Sequence, residues 1–361
     1  MKYIFFLPFL LMLFSSCEEE MTEETLGDLT DISYSPQNYN IDFPQNFGQP
    51  TLPEDNPITV DGVKLGKTLF FDPILSKDST MSCASCHIQS RGFNENKAKS
   101  IGIKGFESDR SSMSLINLAY KNKGLFWDGR TKTLEEQALI PVEHPKELAA
   151  AWPEVEEKLK KLPRYTLLFR KAFGIKKTSE ISRNLAAKAI AQFERTLISS
   201  NSKFDLVLAG KERFSDLELY GYKMYLDEDP DVKDAECGHC HSIPLMTSNE
   251  FFNNGLDAAP NLTEFSDLGL GKITGRLIDN GKFNAPTLRN ILLSAPYMHD
   301  GRFKDIDEVL DHYSAGGNWA PNKDPLIYPL SFTSLERRAL KAFLSTLTDS
   351  TFISNPEFQP N

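Results

Sequence analysis

Two short motifs constrain this chain more than anything else in it: Cys83-Ala84-Ser85-Cys86-His87 and Cys237-Gly238-His239-Cys240-His241. Both have the form C-x-x-C-H, the spacing of covalent c-type haem attachment. Two thiols one helical turn apart can add to the two vinyl groups of a single porphyrin, and the adjacent imidazole then reaches the iron. Cys83, Cys86, Cys237 and Cys240 are therefore the expected attachment points, His87 and His241 the expected proximal ligands, and two haems c the expected cofactors. The competing reading of each pair is a zinc knuckle or a redox dithiol, with His239 and His241 completing a zinc site. Haem attachment accounts for the histidine at the same place after both pairs, which zinc does not require, and leaves His239 as a spacer.

The fifth cysteine stands apart. Lys2 precedes an apolar run from Tyr3 to Phe14, and Ser15 and Ser16 lead into Cys17. The run is too short to span a bilayer and reads as an export signal. A cysteine after small residues resembles a lipoprotein cleavage box, so Cys17 is the expected lipid-bearing N-terminus, with a plain secretory peptide as the alternative. Glu18, Glu19, Glu20, Glu23 and Glu24 and a Pro/Asn/Gln-rich stretch follow, and residues 18–50 read as a flexible tether. An exported, periplasmic or cell-surface location fits haem attachment, and membrane contact is expected through the anchor alone. The formal net charge of -10 argues against nucleic acid and favours a cationic protein partner.

A chain of 361 residues exceeds what one hydrophobic core usually supports, so two domains are expected. Helix signals dominate: Thr133 with Glu136, Ser215 with Glu218 and Thr333 with Glu336 are capping boxes ahead of apolar stripes. Sustained period-two alternation is missing, so the fold class is mainly α, two helical domains each built around one haem. Long Gly/Pro/Asn-rich loops, 88–130 and 242–300, follow the two motifs, and loops of this length usually carry function. The order of helix, cysteine pair, long loop and helix occurs twice. It places an N-terminal domain at 51–205, a C-terminal domain at 206–350 and a tail at 351–361, with the junction near 199–213.

Reactivity at a haem whose proximal histidine is fixed depends on the sixth ligand and the distal pocket. Residues 88–143 contain no histidine, which favours an open sixth position on the first haem, where peroxide can bind. For the second haem, Asp305 to Tyr313 reads as a short helix capped by Asp305 and stopped by Gly316 and Gly317. Its apolar positions Ile306, Val309 and Leu310 put Tyr313 on the inward face, as a phenolate ligand or as a core tyrosine with a local hydrogen bond.

With these motifs the chain resembles bacterial di-haem cytochrome c peroxidases and their MauG-type relatives over about residues 55–348. The resemblance also rests on Phe71-Asp72-Pro73-Ile74-Leu75-Ser76, Phe126-Trp127-Asp128-Gly129-Arg130, Leu134-Glu135-Glu136-Gln137-Ala138, Pro286-Thr287-Leu288-Arg289-Asn290 and Pro296-Tyr297-Met298-His299-Asp300-Gly301. It implies two cytochrome c-like domains, Trp127 as a relay between the haems, and Gln137 and Glu147 in the first distal pocket. Glu147 is then the acid-base candidate. The residues alone read it as a helix-cap glutamate, since Pro145 suits the first position of a helix. Ile103 stands where many peroxidases have a distal histidine. Tyr313 stands where a methionine is expected on the second haem, with Met298 as the other candidate. Calcium between the domains is also implied, through the carbonyls of Ser294 and Pro296, with Ser111 where the family has asparagine. His299 and Arg289 would order interdomain loops and haem propionates, with a purely structural role as the equal alternative.

The expected function is reduction of hydrogen peroxide at the first haem with electrons relayed from the second, supplied by a small cytochrome c or another redox protein. The alternatives are MauG-type oxidation of a protein or small molecule and a non-catalytic di-haem electron carrier. A homodimer is a further expectation.

Overall fold

The computed structural model describes residues 27–360, so Cys17 and the signal lie outside the described residues. The molecule is mainly helical. The helices are α1 Val60–Phe71, α2 Leu134–Glu143, α3 Trp152–Lys160, α4 Pro163–Phe173, α5 Arg183–Arg195, α6 Lys203–Leu208, α7 Asp216–Leu226, α8 Cys237–Cys240, α9 Gly271–Thr274, α10 Ile306–Ala315, α11 Ser334–Ser345 and α12 Ser350–Ile353. Two-residue strands Phe251–Phe252 and Phe283–Asn284 pair antiparallel. Among the described residues no helix is long and apolar enough to cross a membrane.

The expected capping boxes form. Thr133, Ser215 and Thr333 each accept from the backbone N–H of the glutamate three residues on, starting α2, α7 and α11. The apolar stripes then build separate cores. One cluster joins Leu65 and Leu69 of α1 to Trp152, Tyr165, Phe169 and Ile190. Another joins Met224 of α7 to Leu310, Leu330 and Leu340. The duplication is visible at atomic scale. A Cβ on Gly66 of α1 would stand 1.9 Å from the Ala189 carbonyl oxygen of α5, and one on Gly221 of α7 would stand 2.0 Å from that of Ala339 in α11. Phe193 and Phe343, each four residues beyond the alanine, complete the same close crossing. Each half is thus a helix pair that touches backbone to backbone, with the haem motif downstream of its first helix.

Two segments depart from expectation. Residues 27–50, read as part of a tether, lie along the N-terminal half: Leu29 is buried, Tyr39 N–H donates to the Ile58 carbonyl (2.9 Å), and Phe43 and Phe47 set their edges against Tyr120. A few apolar anchors and backbone pairing suffice where the average composition is polar. The stretch 351–361 likewise brings Phe352 and Phe358 into the cluster of Phe70, Phe93 and Phe193. Near the expected junction, Leu197 belongs to that cluster, whereas Phe204 of α6 packs with Tyr225 and Phe343.

Candidate functional site

Each C-x-x-C-H motif folds into a single helical turn that holds its histidine by the inner nitrogen. Nδ1 of His87 lies 3.0 Å from the Phe93 carbonyl oxygen, and Nδ1 of His241 lies 2.9 Å from that of Pro286. A carbonyl can only accept, so Nδ1 carries the proton and Nε2 keeps a free lone pair, the arrangement of a metal-ligating imidazole. Burial pulls both histidines below their ordinary range, His241 to about 4, which keeps them neutral. The four cysteines are unpaired. Burial pushes the Cys83, Cys237 and Cys240 thiols up to about 12 and that of Cys86 to about 11. Two thiols and a free Nε2 on one cavity wall, twice, fit two covalent haems.

The first cavity, about 900 Å³, is lined by Cys83, Cys86 and His87 together with Trp127, Gln137, His144, Glu147 and Glu194. Oε1 of Gln137 is enclosed and has no hydrogen-bond partner. Glu147 Oε1 lies 3.4 Å from His144 Nδ1, in ion-pair range but outside hydrogen-bond alignment. Burial raises the Glu147 carboxyl above its usual range, with His144 and Arg130 pulling it back. The second cavity, about 210 Å³, is lined by Cys237, Cys240, His241, Met298 and Tyr313. Nδ2 of Asn254 donates to the Tyr313 hydroxyl (3.2 Å) and to Met298 Sδ (3.5 Å), so both candidate ligands converge on one amide. Burial pushes the Tyr313 phenol up to about 12. Trp127 lines both cavities, its Nε1 donating to the Ser111 carbonyl at 2.9 Å.

A sequence profile described as di-haem cytochrome c peroxidase matches residues 60–213. The methylamine utilization protein MauG of Methylorubrum extorquens is 36% identical over 298 residues, 82% of this chain and 80% of its own length. Cytochrome c551 peroxidase of Nitrosomonas europaea is also 36% identical, over 81% of each chain. The chain belongs to the di-haem cytochrome c peroxidase/MauG family. A crystal structure of a MauG-like protein associated with microbial copper homeostasis superposes with a TM-score of 0.79 at 34% identity, covering 89% of this chain and 99% of that one. The cofactors of this di-haem peroxidase-family chain are accordingly two haems c.

Several site expectations are corrected by the geometry. Glu147 is in a turn, not a helix: its N–H donates to the His144 carbonyl, while Leu148 and Ala150 bond back to Pro141 and Val142 of α2, so the chain wraps instead of starting a new helix. Ile103 does not line the first cavity. Its N–H donates to the Glu147 carbonyl at 3.0 Å, tying the loop to the acid-base candidate from outside. Arg289 is fully buried in a two-pronged pair with Asp205, 2.8 Å for each bond, and lines neither cavity. Its guanidinium is thus committed to the core and not to propionates. His299 lines both cavities and stacks on Phe283 at 3.6 Å. Ser111, Ser294 and Pro296 share the wall of the second cavity, but the Ser111 hydroxyl donates to the Met298 carbonyl (2.8 Å) and the set contains no carboxylate. Calcium held there would meet neutral carbonyl and hydroxyl oxygens, the donor type the expectation named.

Sequence reasoning passed over four residues. His144 gave a signal, since it precedes Pro145, which bars α-helical continuation and forces a turn toward Glu147. Arg110 joins Asp128 (2.6 Å) to Asp267 (2.7 Å) and so ties the first half to the second. Asn254 had no signal. Glu194 looked like one more polar residue of α5, yet it is buried and Oε2 has no partner. Burial pushes its carboxyl up to about 8. A folded-state value above the unfolded one stabilises fully below the unfolded value, and this contribution is lost as pH rises through about 8. The melting temperature of the wild type should therefore fall between pH 6 and 9 more than that of Glu194→Gln, whose amide does not titrate; parallel melting curves would show that the carboxyl does not titrate there.

Proposed function

We propose that this chain reduces hydrogen peroxide at the haem carried by His87, with electrons relayed through Trp127 from the haem carried by His241. The observation that carries this reading is the first cavity, whose wall is shared by the Glu147 carboxyl, the Gln137 amide and His87, with Ile103 absent from that wall. Haem c held there by Cys83, Cys86 and His87 would supply redox-active iron. The protein's own part is proton handling and alignment. Glu147, held in a turn by α2 and the Ile103 loop, can take a proton from the near peroxide oxygen and return it to the departing one. Gln137, with an unpartnered oxygen, accepts a hydrogen bond from the incoming hydroxyl and orients it. Trp127, in the wall common to both cavities, provides the aromatic contact between the two centres.

A small cytochrome c or similar redox protein is the proposed donor, and an exported chain anchored through Cys17 the proposed setting. An anaerobic redox titration followed optically tests the core of the proposal. Two haems are expected, one with a high-spin ferric component that reacts rapidly with peroxide; two low-spin haems inert to peroxide would leave only an electron carrier.

A second reading, MauG-type oxidation of a protein or small-molecule substrate, is favoured by Tyr313, which reaches the second cavity from α10 on the side of Leu310 and meets Asn254 there. A phenolate ligand stabilises oxidised iron. Tyr313→Phe should then change the low-spin signal of the second haem, and an unchanged spectrum would exclude the phenol and leave Met298.

A further inference from the structure

The turn that leads from α7 into the second haem motif gathers four side chains, of which only Glu236 also lines the second cavity. Asp227, Asp234 and His239 each offer one donor atom, and these atoms all lie within 4.8 Å of one another. Glu236 forms the floor. Its Oε2 is enclosed, without a hydrogen-bond partner, and 3.1 Å from His239 Nε2, while the Tyr328 hydroxyl donates to its other oxygen at 2.7 Å. The Glu236 and Asp234 side chains are only 12% and 15% exposed, whereas Asp227 and His239 are about half exposed. The cluster therefore has a closed base and an open mouth.

Its charge is unbalanced. Three carboxylates surround one imidazole, and the nearby cations are engaged elsewhere: Lys223 pairs with Asp229 at 2.8 Å, and Lys233 reaches Glu336 at 3.4 Å and the Ser331 carbonyl at 3.0 Å. Among the described residues no lysine or arginine pairs with Asp227, Asp234 or Glu236. Asp234 Oδ1 accepts from the Glu236 N–H at 2.6 Å, and its carboxylate lies within 4.8 Å of the donor atoms of Asp227 and His239. Carboxyl groups that approach this closely share either a proton or a cation. A solvated acidic patch would spread its charges into water. Here a floor oxygen is sealed from water and an imidazole nitrogen is held among the carboxylates.

We propose that Asp227, Asp234, Glu236 and His239 form a surface site for a divalent transition-metal ion of the zinc type. Imidazole nitrogen with carboxylate oxygens suits such ions, whereas calcium prefers oxygen alone. Because His239 lies between Cys237 and Cys240, an ion held there would sit on the attachment turn of the second haem.

The test uses the chain with both haems attached, washed with chelator and then titrated with Zn²⁺ by calorimetry. One saturable equivalent is expected, with affinity falling about tenfold or more in His239→Gln and in Asp227→Asn. Both positions are half exposed, and an unchanged haem spectrum verifies that the second motif remains intact in each variant. A zinc isotherm identical in wild type and both variants, or no saturable binding, would overturn the site. Displacement of zinc by millimolar Ca²⁺ would overturn the metal class.

Discussion

Glu147→Gln is expected to slow peroxide consumption by about a hundredfold or more, the scale on which positioned acid-base groups act. Glutamine has the shape of glutamate and can keep the place against His144 and Arg130, but it cannot accept a proton and give it back. The turn around position 147 is held by backbone bonds from residues 103, 147, 148 and 150, none of which involves the carboxyl, so the fold should survive. Stopped-flow decay of peroxide, at matched haem content and matched ferric spectrum, reads the effect. Undiminished turnover would mean that protons are handled by another group on the cavity, and His144, 3.4 Å away, would be the one to examine next.

Asp205→Ala should cost about 3–5 kcal/mol of stability, the range found when one partner of a buried ion pair is removed. The guanidinium of Arg289 is fully buried, and its other described side-chain hydrogen bonds are to the Pro244 carbonyl. Without Asp205 the positive charge would remain in the core with that dipole and the Phe47 ring, 4.6 Å away, to face, and no anion. Asp205 also accepts from the N–H and hydroxyl of Ser202 at the start of α6, so the side-chain half of that helix's capping box is lost with it. Urea denaturation with the haems in place measures the change. A shift below about 1 kcal/mol, the size of an exposed pair, would mean that the pair is open to water in solution.

What the sequence disclosed follows the range of the interactions involved. The haem turns, α10 and the capping boxes of α2, α7 and α11 were legible because each is specified within a few residues by spacing and cap chemistry. Gln137 and Trp127 lie on the first cavity wall and were singled out by the family resemblance alone, since no periodicity distinguishes them. The local rule failed at Glu147: proline at the first position of a helix is a sound expectation, but the bonds from Leu148 and Ala150 back to α2 override it. For Arg289 the sequence could not separate a structural role from a propionate role, because its partner Asp205 is 84 residues distant in the chain. The polar stretch 27–50 was misread because composition averages over a segment, whereas docking depends on single anchors such as Leu29 and Phe47.

The packing of Phe352 and Phe358 against Phe93 carries a consequence for biogenesis. Phe93 supplies the carbonyl that fixes the His87 ring, so the support of the earlier haem pocket includes residues translated some 260 positions after it. During synthesis the amino-terminal half cannot complete its interior until the carboxyl end has emerged and folded back. Completion of the half that carries His87 is thereby made to wait for the other, and a prematurely terminated product would leave that pocket unfinished.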